Sequence, residues 1–166
     1  MNDITLLNFQ LDLIKSEINQ IQTIIGRIDT LTQQVKNWTV VTWAGSISLI
    51  LGNADTSLRH LILGAAVIPL LFWMVDGHYR RRQLGFILRI EKISNYLNSE
   101  ALSHSFEAGR ISNFILLDLS AKLSGRQERA QFANLTKAMW FKSLRVFYLG
   151  LIITTIILQI ILYYKY

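Results

Sequence analysis

The stretch VFYLGLIITTIILQIILYY, from Val146 to Tyr164, contains 19 residues and no charge. As an α-helix rising about 1.5 Å per residue, it would be about 28 Å long, close to the thickness of a bilayer's hydrocarbon core. Arg145 and Lys165 flank the stretch, and tyrosines near both ends suit the membrane interface. The pattern predicts a transmembrane helix at residues 146–166, together with a short external tail.

Two earlier uncharged segments predict a transmembrane hairpin within residues 37–79. Asn37 to Ala54 gives 18 uncharged residues, and His60 to Val75 gives 16 that end close to an interfacial Phe72–Trp73 pair. The residues between the two segments suffice only for a tight turn. The chain is 51% hydrophobic and 17% charged, which favours membrane spans over a soluble domain. The alternative is that these two segments are buried helices of a soluble domain.

The basic residues are distributed unevenly around the three predicted spans. The chain has 17 Lys and Arg against 11 Asp and Glu. Only Arg59 of the hairpin turn and Lys165 of the tail lie on one side, which leaves fifteen on the other. The positive-inside rule therefore predicts a cytoplasmic N-terminus and an external C-terminus.

Residues 1–36 carry a heptad pattern in which apolar side chains recur at alternating steps of three and four. Such a strict seam favours helix association, and isoleucine at both seam positions favours three or four strands over two. We expect a homotetramer, with a trimer or a pentamer as alternatives, held by a cytoplasmic oligomerisation helix. The alternative is an amphipathic helix lying on the membrane surface. The predicted oligomerisation residues are Ile4, Leu7, Leu11, Ile14, Ile18, Ile21, Ile25 and Ile28.

Where the helix would enter the membrane, most residues at the same heptad positions are polar. This change from apolar to polar residues predicts a pore on the symmetry axis. Hydroxyl residues at these positions can line a water-filled path, although Ser, Thr and Gly also mediate dry helix packing. The predicted pore-lining residues are Thr39, Thr42, Ser46, Leu49 and Asn53. Thr155 and Gln159 of the last span form a second candidate stripe.

Residues 80–145 predict a small, basic, helical cytoplasmic segment. We expect amphipathic helices at 84–97, at 112–123 and at 126–145, separated by polar breaks at 98–105 and 124–125. Asp76 and Arg80 fall one helical turn apart, which predicts a structural pair. The basic cluster predicts either anchoring to lipid headgroups or binding of a phosphate-bearing ligand. The predicted ligand-binding residues are Arg80, Arg81, Arg82 and Arg89.

The residues that support catalysis or metal binding are sparse. The three histidines lie in different segments, and the chain has no cysteine. Neither a phosphate-binding glycine loop nor a nucleophile motif is present in the sequence. We therefore expect a protein that is not an enzyme and that uses no metal or cofactor.

The run FWMVDGHYRRRQLGF, from Phe72 to Phe86, resembles a pattern found in small bacterial membrane effectors of antiphage defence. The layout of oligomerising helix, short spans and basic helical segment is similar to the Hailong-type membrane effector and, less closely, to two-span effectors of cyclic-nucleotide defence systems. The resemblance implies a gated tetrameric channel that depolarises the membrane. It also implies a nucleotide or DNA-oligomer ligand made by a partner nucleotidyltransferase, which in the Hailong case closes the pore.

Together these patterns predict an all-α membrane protein with an N-terminal coiled-coil-like helix, three transmembrane helices and a symmetric homo-oligomeric assembly. The expected function is a homotetrameric ion channel gated from the cytoplasm. Two other classes remain open: a non-conducting membrane anchor or scaffold that recruits a cytoplasmic partner, and a holin-like lytic protein without ligand control.

Overall fold

The computed structural model describes residues 3–53, 56–112, 114–119 and 134–165, and throughout these ranges the regular structure is helical. No strand occurs in the described part of the chain, so the prediction of an all-α fold is confirmed. The α-helices are α1 (Asp3–Leu51), α2 (Val67–Leu97), α3 (Glu100–Glu107), α4 (Leu135–Met139) and α5 (Lys142–Lys165). A 3₁₀ segment, Thr56–Ala66, precedes α2.

Helix α1 is a single helix of 49 residues. It crosses the predicted boundary at residues 36 and 37 without interruption, because the sequence offers no proline and keeps apolar side chains at helical spacing. The helix ends where the Gly52 N–H donates to the Ser48 carbonyl at 2.9 Å. The predicted turn after the first hydrophobic segment therefore begins at a glycine.

Two helices in the described part of the chain are long and apolar enough to cross a membrane. They are Leu61–Leu97 and Lys142–Tyr164, which contain 18-residue stretches with mean hydropathies of 1.7 and 2.3, respectively. The second contains the predicted span 146–164, and the first contains most of the predicted span 60–75. The remaining predicted span, Asn37–Ala54, is helical as far as Leu51 but does not belong to this pair.

The predicted helix at residues 112–123 is wrong in its described part. Residues 114–118 are not helical, and Leu117 has a φ of 57°, in the left-handed region that non-glycine residues rarely occupy. Backbone N–H groups in and next to this segment donate hydrogen bonds to side chains instead of to backbone carbonyls. The Ile111 N–H donates to the Gln10 amide oxygen at 2.6 Å, and the Leu117 N–H donates to Glu17 at 3.0 Å. Residues 120–123 lie outside the described residues.

Two other predicted boundaries need correction. The predicted polar break at 98–105 is narrower than expected, because α3 begins at Glu100 after Ser99 adopts an extended conformation. The predicted helix 126–145 is interrupted at Trp140 and Phe141, between α4 and α5. The carbonyl of Met139 there accepts a hydrogen bond from the Trp73 indole, 2.9 Å away. Residues 126–133 lie outside the described residues.

The chain divides into two compact units. The first comprises Met1–Ile28 with Arg82–Ala133, and the second comprises Asp29–Arg81 with Asn134–Tyr166. The buried apolar side chains of the first unit come mainly from α1 and α2. They include Leu7, Ile14, Ile21, Ile28, Phe86, Ile93 and Tyr96.

In the second unit, α5 packs against the 3₁₀ segment. A buried cluster of Trp73, Leu144 and Tyr148 lies at the N-terminal end of α5. Trp73 belongs to α2 and the other two residues to α5, so the cluster fixes the two candidate spans against each other. This aromatic cluster adjoins the site described below.

Candidate functional site: a buried acid between three helices

Asp76 is a fully buried acid within the first candidate span. Its exposed fraction is 0%, and its Oδ2 accepts a hydrogen bond of 3.0 Å from the Tyr148 hydroxyl. Tyr148 belongs to the other candidate span and is also 0% exposed. An ionisable side chain in such a helix is costly unless it is paired, and its presence indicates a functional or organising role.

Helix α1 contributes further polar groups around this carboxyl. Thr32 and Lys36 lie near Asp76, as does Arg80 on the following turn of α2. The surroundings of Asp76 thus include a hydroxyl and two cations from α1 and α2 in addition to the Tyr148 hydroxyl of α5. Opposite charges offset part of the cost of burying an acid, which is several kcal/mol for an isolated ion. The predicted Asp76–Arg80 neighbourhood exists, but it is one part of a larger network.

Aromatic rings pack around Tyr148, which is the member of the Asp76 network that belongs to α5. The Trp73 and Tyr148 rings stack with their centroids 6.0 Å apart, and Phe147 meets Tyr148 edge-on at 4.9 Å. These contacts hold the Tyr148 ring on two sides, so its hydroxyl has little freedom to leave Asp76. The arrangement is suited to positioning three helices.

The predicted pore-lining residues separate into buried and exposed sets. Thr39 is 0% exposed, donates to the Val35 carbonyl at 2.7 Å and lies near Tyr148. Thr155 is also 0% exposed and accepts a hydrogen bond of 2.8 Å from the Trp43 indole. Both threonines therefore contribute to packing within the chain.

The other predicted pore-lining residues are more accessible. Thr42, Leu49 and Asn53 are exposed, whereas Ser46 is half-buried and donates to the Thr42 carbonyl at 2.8 Å. Gln159 is half-buried, and its side-chain oxygen is shielded without a hydrogen-bond partner. The accessible part of the predicted lining thus belongs mainly to α1.

The four predicted ligand-binding arginines do not form one surface. Arg81 and Arg82 are exposed, whereas Arg80 is half-buried with its guanidinium 4.1 Å from the centroid of the Phe141 ring. Arg89 is buried, and its Nε lies 2.6 Å from a carboxylate oxygen of Glu17. Only Arg81 and Arg82 present their charges openly to a ligand.

Arg89 and Glu17 instead form a buried clamp in the first unit. A second guanidinium nitrogen of Arg89 lies 3.2 Å from the other carboxylate oxygen of Glu17, and the same nitrogen donates to the Ile115 carbonyl at 2.5 Å. Glu17 in turn accepts from the Leu117 N–H. The Arg89 guanidinium also lies 4.9 Å from the centroid of the Phe114 ring. The clamp fastens the non-helical segment at Phe114–Leu117 to α1 and α2.

The heptad residues also divide into two rows. Leu7, Ile14, Ile21 and Ile28, spaced by seven, are buried within the chain, whereas Leu11, Ile18 and Ile25 are half-buried. Ile4 is helical, and its side chain lies outside the described part. The chain itself therefore covers one row of the seam and leaves the other partly accessible.

Sequence reasoning missed Tyr148 and Glu17 as functional or organising residues. Tyr148 was visible only as one of several tyrosines near the ends of the last hydrophobic stretch. Glu17 flanks the seam, at a position where a charged residue is normally a solvated or interhelical group. Their partners, Asp76 and Arg89, lie 72 residues away along the chain in each case, so no local spacing identifies them.

Among the described residues, no group of three or more His, Asp or Glu side chains is placed to hold a metal ion. Comparisons of the chain with protein-family models, with curated proteins and with solved structures give no significant match.

Proposed function

We propose that the protein is a homo-oligomeric ion channel of a bacterial inner membrane, in which copies of α1 surround the conducting path. The observation that carries the proposal is the polarity of α1 in the second unit. One side of the helix is buried at Thr39 and Ile47, whereas Thr42, Gly45 and Ser48 are exposed. These three residues form a stripe of small and polar side chains on the exposed side, next to the exposed apolar residues Val41 and Leu49.

A stripe of small and polar residues is better placed next to water or another helix than next to lipid. In lipid, polar side chains favour contacts with other polar groups or a water-filled cavity, and small residues allow helices to approach closely. Copies of α1 that turn their Thr42 side towards a common axis satisfy both preferences. This arrangement makes residues 37–51 the third span, in addition to the two apolar helices.

The heptad supports the assembly. The half-buried row of Leu11, Ile18 and Ile25 remains partly accessible to a neighbouring copy. Isoleucine-rich seams favour three or four strands, and we propose a tetramer. The N-terminus is then cytoplasmic and the C-terminus external, in agreement with the distribution of Lys and Arg.

The antiphage role and the ligand belong to the same proposal and are supported by the sequence resemblance. A nucleotide or short DNA oligomer made by a partner nucleotidyltransferase would bind the exposed Arg81 and Arg82. It would control the pore by binding one conformation better than the other. Opening of the pore would depolarise the cell membrane and end phage production.

The experiment that tests conduction is a current recording from the purified protein in planar bilayers. Wild-type protein should give discrete current steps, and Thr42→Leu should reduce their size because it replaces a hydroxyl on the proposed path with an apolar side chain. The matched control is Thr154→Leu, since Thr154 is an exposed threonine of α5 that bonds its own helix at the Gly150 carbonyl. Equal currents from Thr42→Leu and wild type would reject α1 as the lining helix.

The second candidate function is a non-conducting oligomeric anchor that recruits a cytoplasmic partner. It is favoured by the burial of Thr39 and Thr155, two of the predicted lining residues, within the chain. An assembled protein that is electrically silent in bilayers, with and without nucleotides, would establish this alternative.

A further inference from the structure

The N-terminal end of α5 and the residues just before it carry a group of exposed cations and aromatic rings. We call this group the basic aromatic collar. All of its members are exposed, and all belong to the second unit. They are Lys137, Trp140, Phe141, Lys142 and Arg145.

Specific contacts fix the collar against α2. The Trp73 indole donates to the Met139 carbonyl at 2.9 Å, and the Arg80 guanidinium lies 4.1 Å from the centroid of the Phe141 ring. The side chain of Met139 covers Gly77 so closely that a Cβ at Gly77 would lie 2.5 Å from Met139 Cγ. The backbone at Met139 and the ring of Phe141 are therefore held in place by packed neighbours.

The cations of the collar are available to an external anion. In the part of the second unit that the structure describes, the acidic residues are Asp29 and Asp76, and Asp76 is buried against Tyr148. Among the described contacts, Lys137, Lys142 and Arg145 form no ion pair. The Arg145 guanidinium lies 5.7 Å from the centroid of the Trp140 ring, which orients one of the charges over an aromatic face.

We propose that the collar binds the phosphate headgroup of an anionic phospholipid from the surrounding bilayer. Lys and Arg next to a transmembrane helix attract anionic headgroups, and exposed Trp and Phe rings favour the boundary between headgroups and acyl chains. Trp140 is 55% exposed and Phe141 is 44% exposed, so an occupant with an apolar tail fits better than a free nucleotide. The collar does not include Arg81 and Arg82, which serve the proposed soluble ligand.

The test compares lipid retention by the purified full-length protein in micelles that contain equal amounts of phosphatidylglycerol and phosphatidylcholine. Native mass spectrometry reports which lipid remains bound. Wild-type protein should retain phosphatidylglycerol preferentially, and the preference should fall as ionic strength rises. The triple variant Lys137→Gln/Lys142→Gln/Arg145→Gln should lower the affinity for phosphatidylglycerol by roughly tenfold or more.

The matched control removes the same number of positive charges elsewhere. Lys15→Gln/Arg27→Gln/Arg110→Gln changes three exposed cations of the first unit and should keep the preference. The conservative variant Lys137→Arg/Lys142→Arg should also keep it, which separates loss of charge from a folding defect. An unchanged preference in the glutamine triple variant would overturn the proposal, as would displacement of phosphatidylglycerol from wild type by ATP. No current is measured, so this outcome is independent of whether the protein conducts.

Discussion

Asp76 is the residue on which the arrangement of the three helices in the second unit depends most directly. It is buried in α2, bonds Tyr148 of α5 and has Thr32 and Lys36 of α1 nearby. Removing one member of a buried charged network leaves the others uncompensated, and this cost commonly exceeds the net gain from forming the network.

Replacing the acid should therefore destabilise the second unit. We expect Asp76→Asn to lower the free energy of unfolding by about 3 kcal/mol, and Tyr148→Phe to lower it by about 1 kcal/mol, because the latter removes one hydrogen bond and keeps the stacked ring. Thermal unfolding in detergent, followed by circular dichroism, measures both changes. Thr154→Val on the exposed side of α5 serves as the control. An Asp76→Asn protein as stable as wild type would contradict the role assigned to Asp76.

The Glu17–Arg89 clamp makes a second prediction at the level of residues. Glu17→Gln should destabilise the first unit by about 3 to 5 kcal/mol, because it leaves the Arg89 charge buried without its carboxylate. The segment held by the clamp should then open, and trypsin should cleave faster after the exposed Arg110. Asp12→Asn is the control, since Asp12 pairs with Lys15 on the exposed side of α1. Unchanged cleavage at Arg110 in Glu17→Gln would show that the clamp does not hold the segment.

Helix α1 has one apolar row that is buried within the chain and another that is partly accessible. Substitutions in the two rows should therefore affect folding and assembly separately. Ile21 is 0% exposed within the chain, whereas Ile18 is half-buried. We expect Ile18→Asp to prevent assembly while the helix content is retained. Ile21→Ala should instead lower the free energy of unfolding by about 2 to 4 kcal/mol through loss of core packing.

Light scattering of the detergent-solubilised protein gives the mass of the assembly, and circular dichroism gives the helix content. A folded Ile18→Asp protein with the wild-type mass would contradict the use of the half-buried row for assembly. Loss of folding in Ile18→Asp would place Ile18 in the core of the single chain.

The elements differ in how far the sequence predicts them. Helix α1 is predicted by its apolar periodicity, and the last span is predicted by its uncharged stretch. Both are local properties of the sequence. The segment around Leu117 was predicted to be helical because its apolar residues have helical spacing. Glu17, Arg89 and Gln10 provide hydrogen bonds that replace those of a helix there, and these partners are distant in sequence. Tertiary contacts override local preference at this position.

The candidate site was predictable only in part for the same reason. The acid at Asp76 and its neighbour Arg80 are visible in the sequence, one helical turn apart. The partner hydroxyl of Tyr148 is not, because a tyrosine near the end of a hydrophobic stretch usually indicates the membrane interface. Arg89 belongs to a basic region, so the sequence favours a ligand role, whereas the structure buries it against Glu17.

For the whole molecule, the number of spans determines which side of the membrane each terminus faces. Two spans place both termini on one side, whereas a third span at residues 37–51 places them on opposite sides. Because the native chain lacks cysteine, single substitutions can be labelled without background. A membrane-impermeant thiol reagent applied to intact cells should label Lys165→Cys and should not label Lys15→Cys. Equal labelling at both positions would favour two spans.

A thiol-block recording tests the proposal that the Thr42 side of α1 faces a water-filled path in the assembled channel. A single cysteine is placed at Thr42, or at Ile157 on the exposed apolar side of α5 as the control. A charged methanethiosulfonate reagent is then added during recording in a planar bilayer. On this proposal, Thr42→Cys channels lose current irreversibly and Ile157→Cys channels do not. Thr42→Cys channels that conduct unchanged after the reagent, or that show no current at any stage, would contradict it.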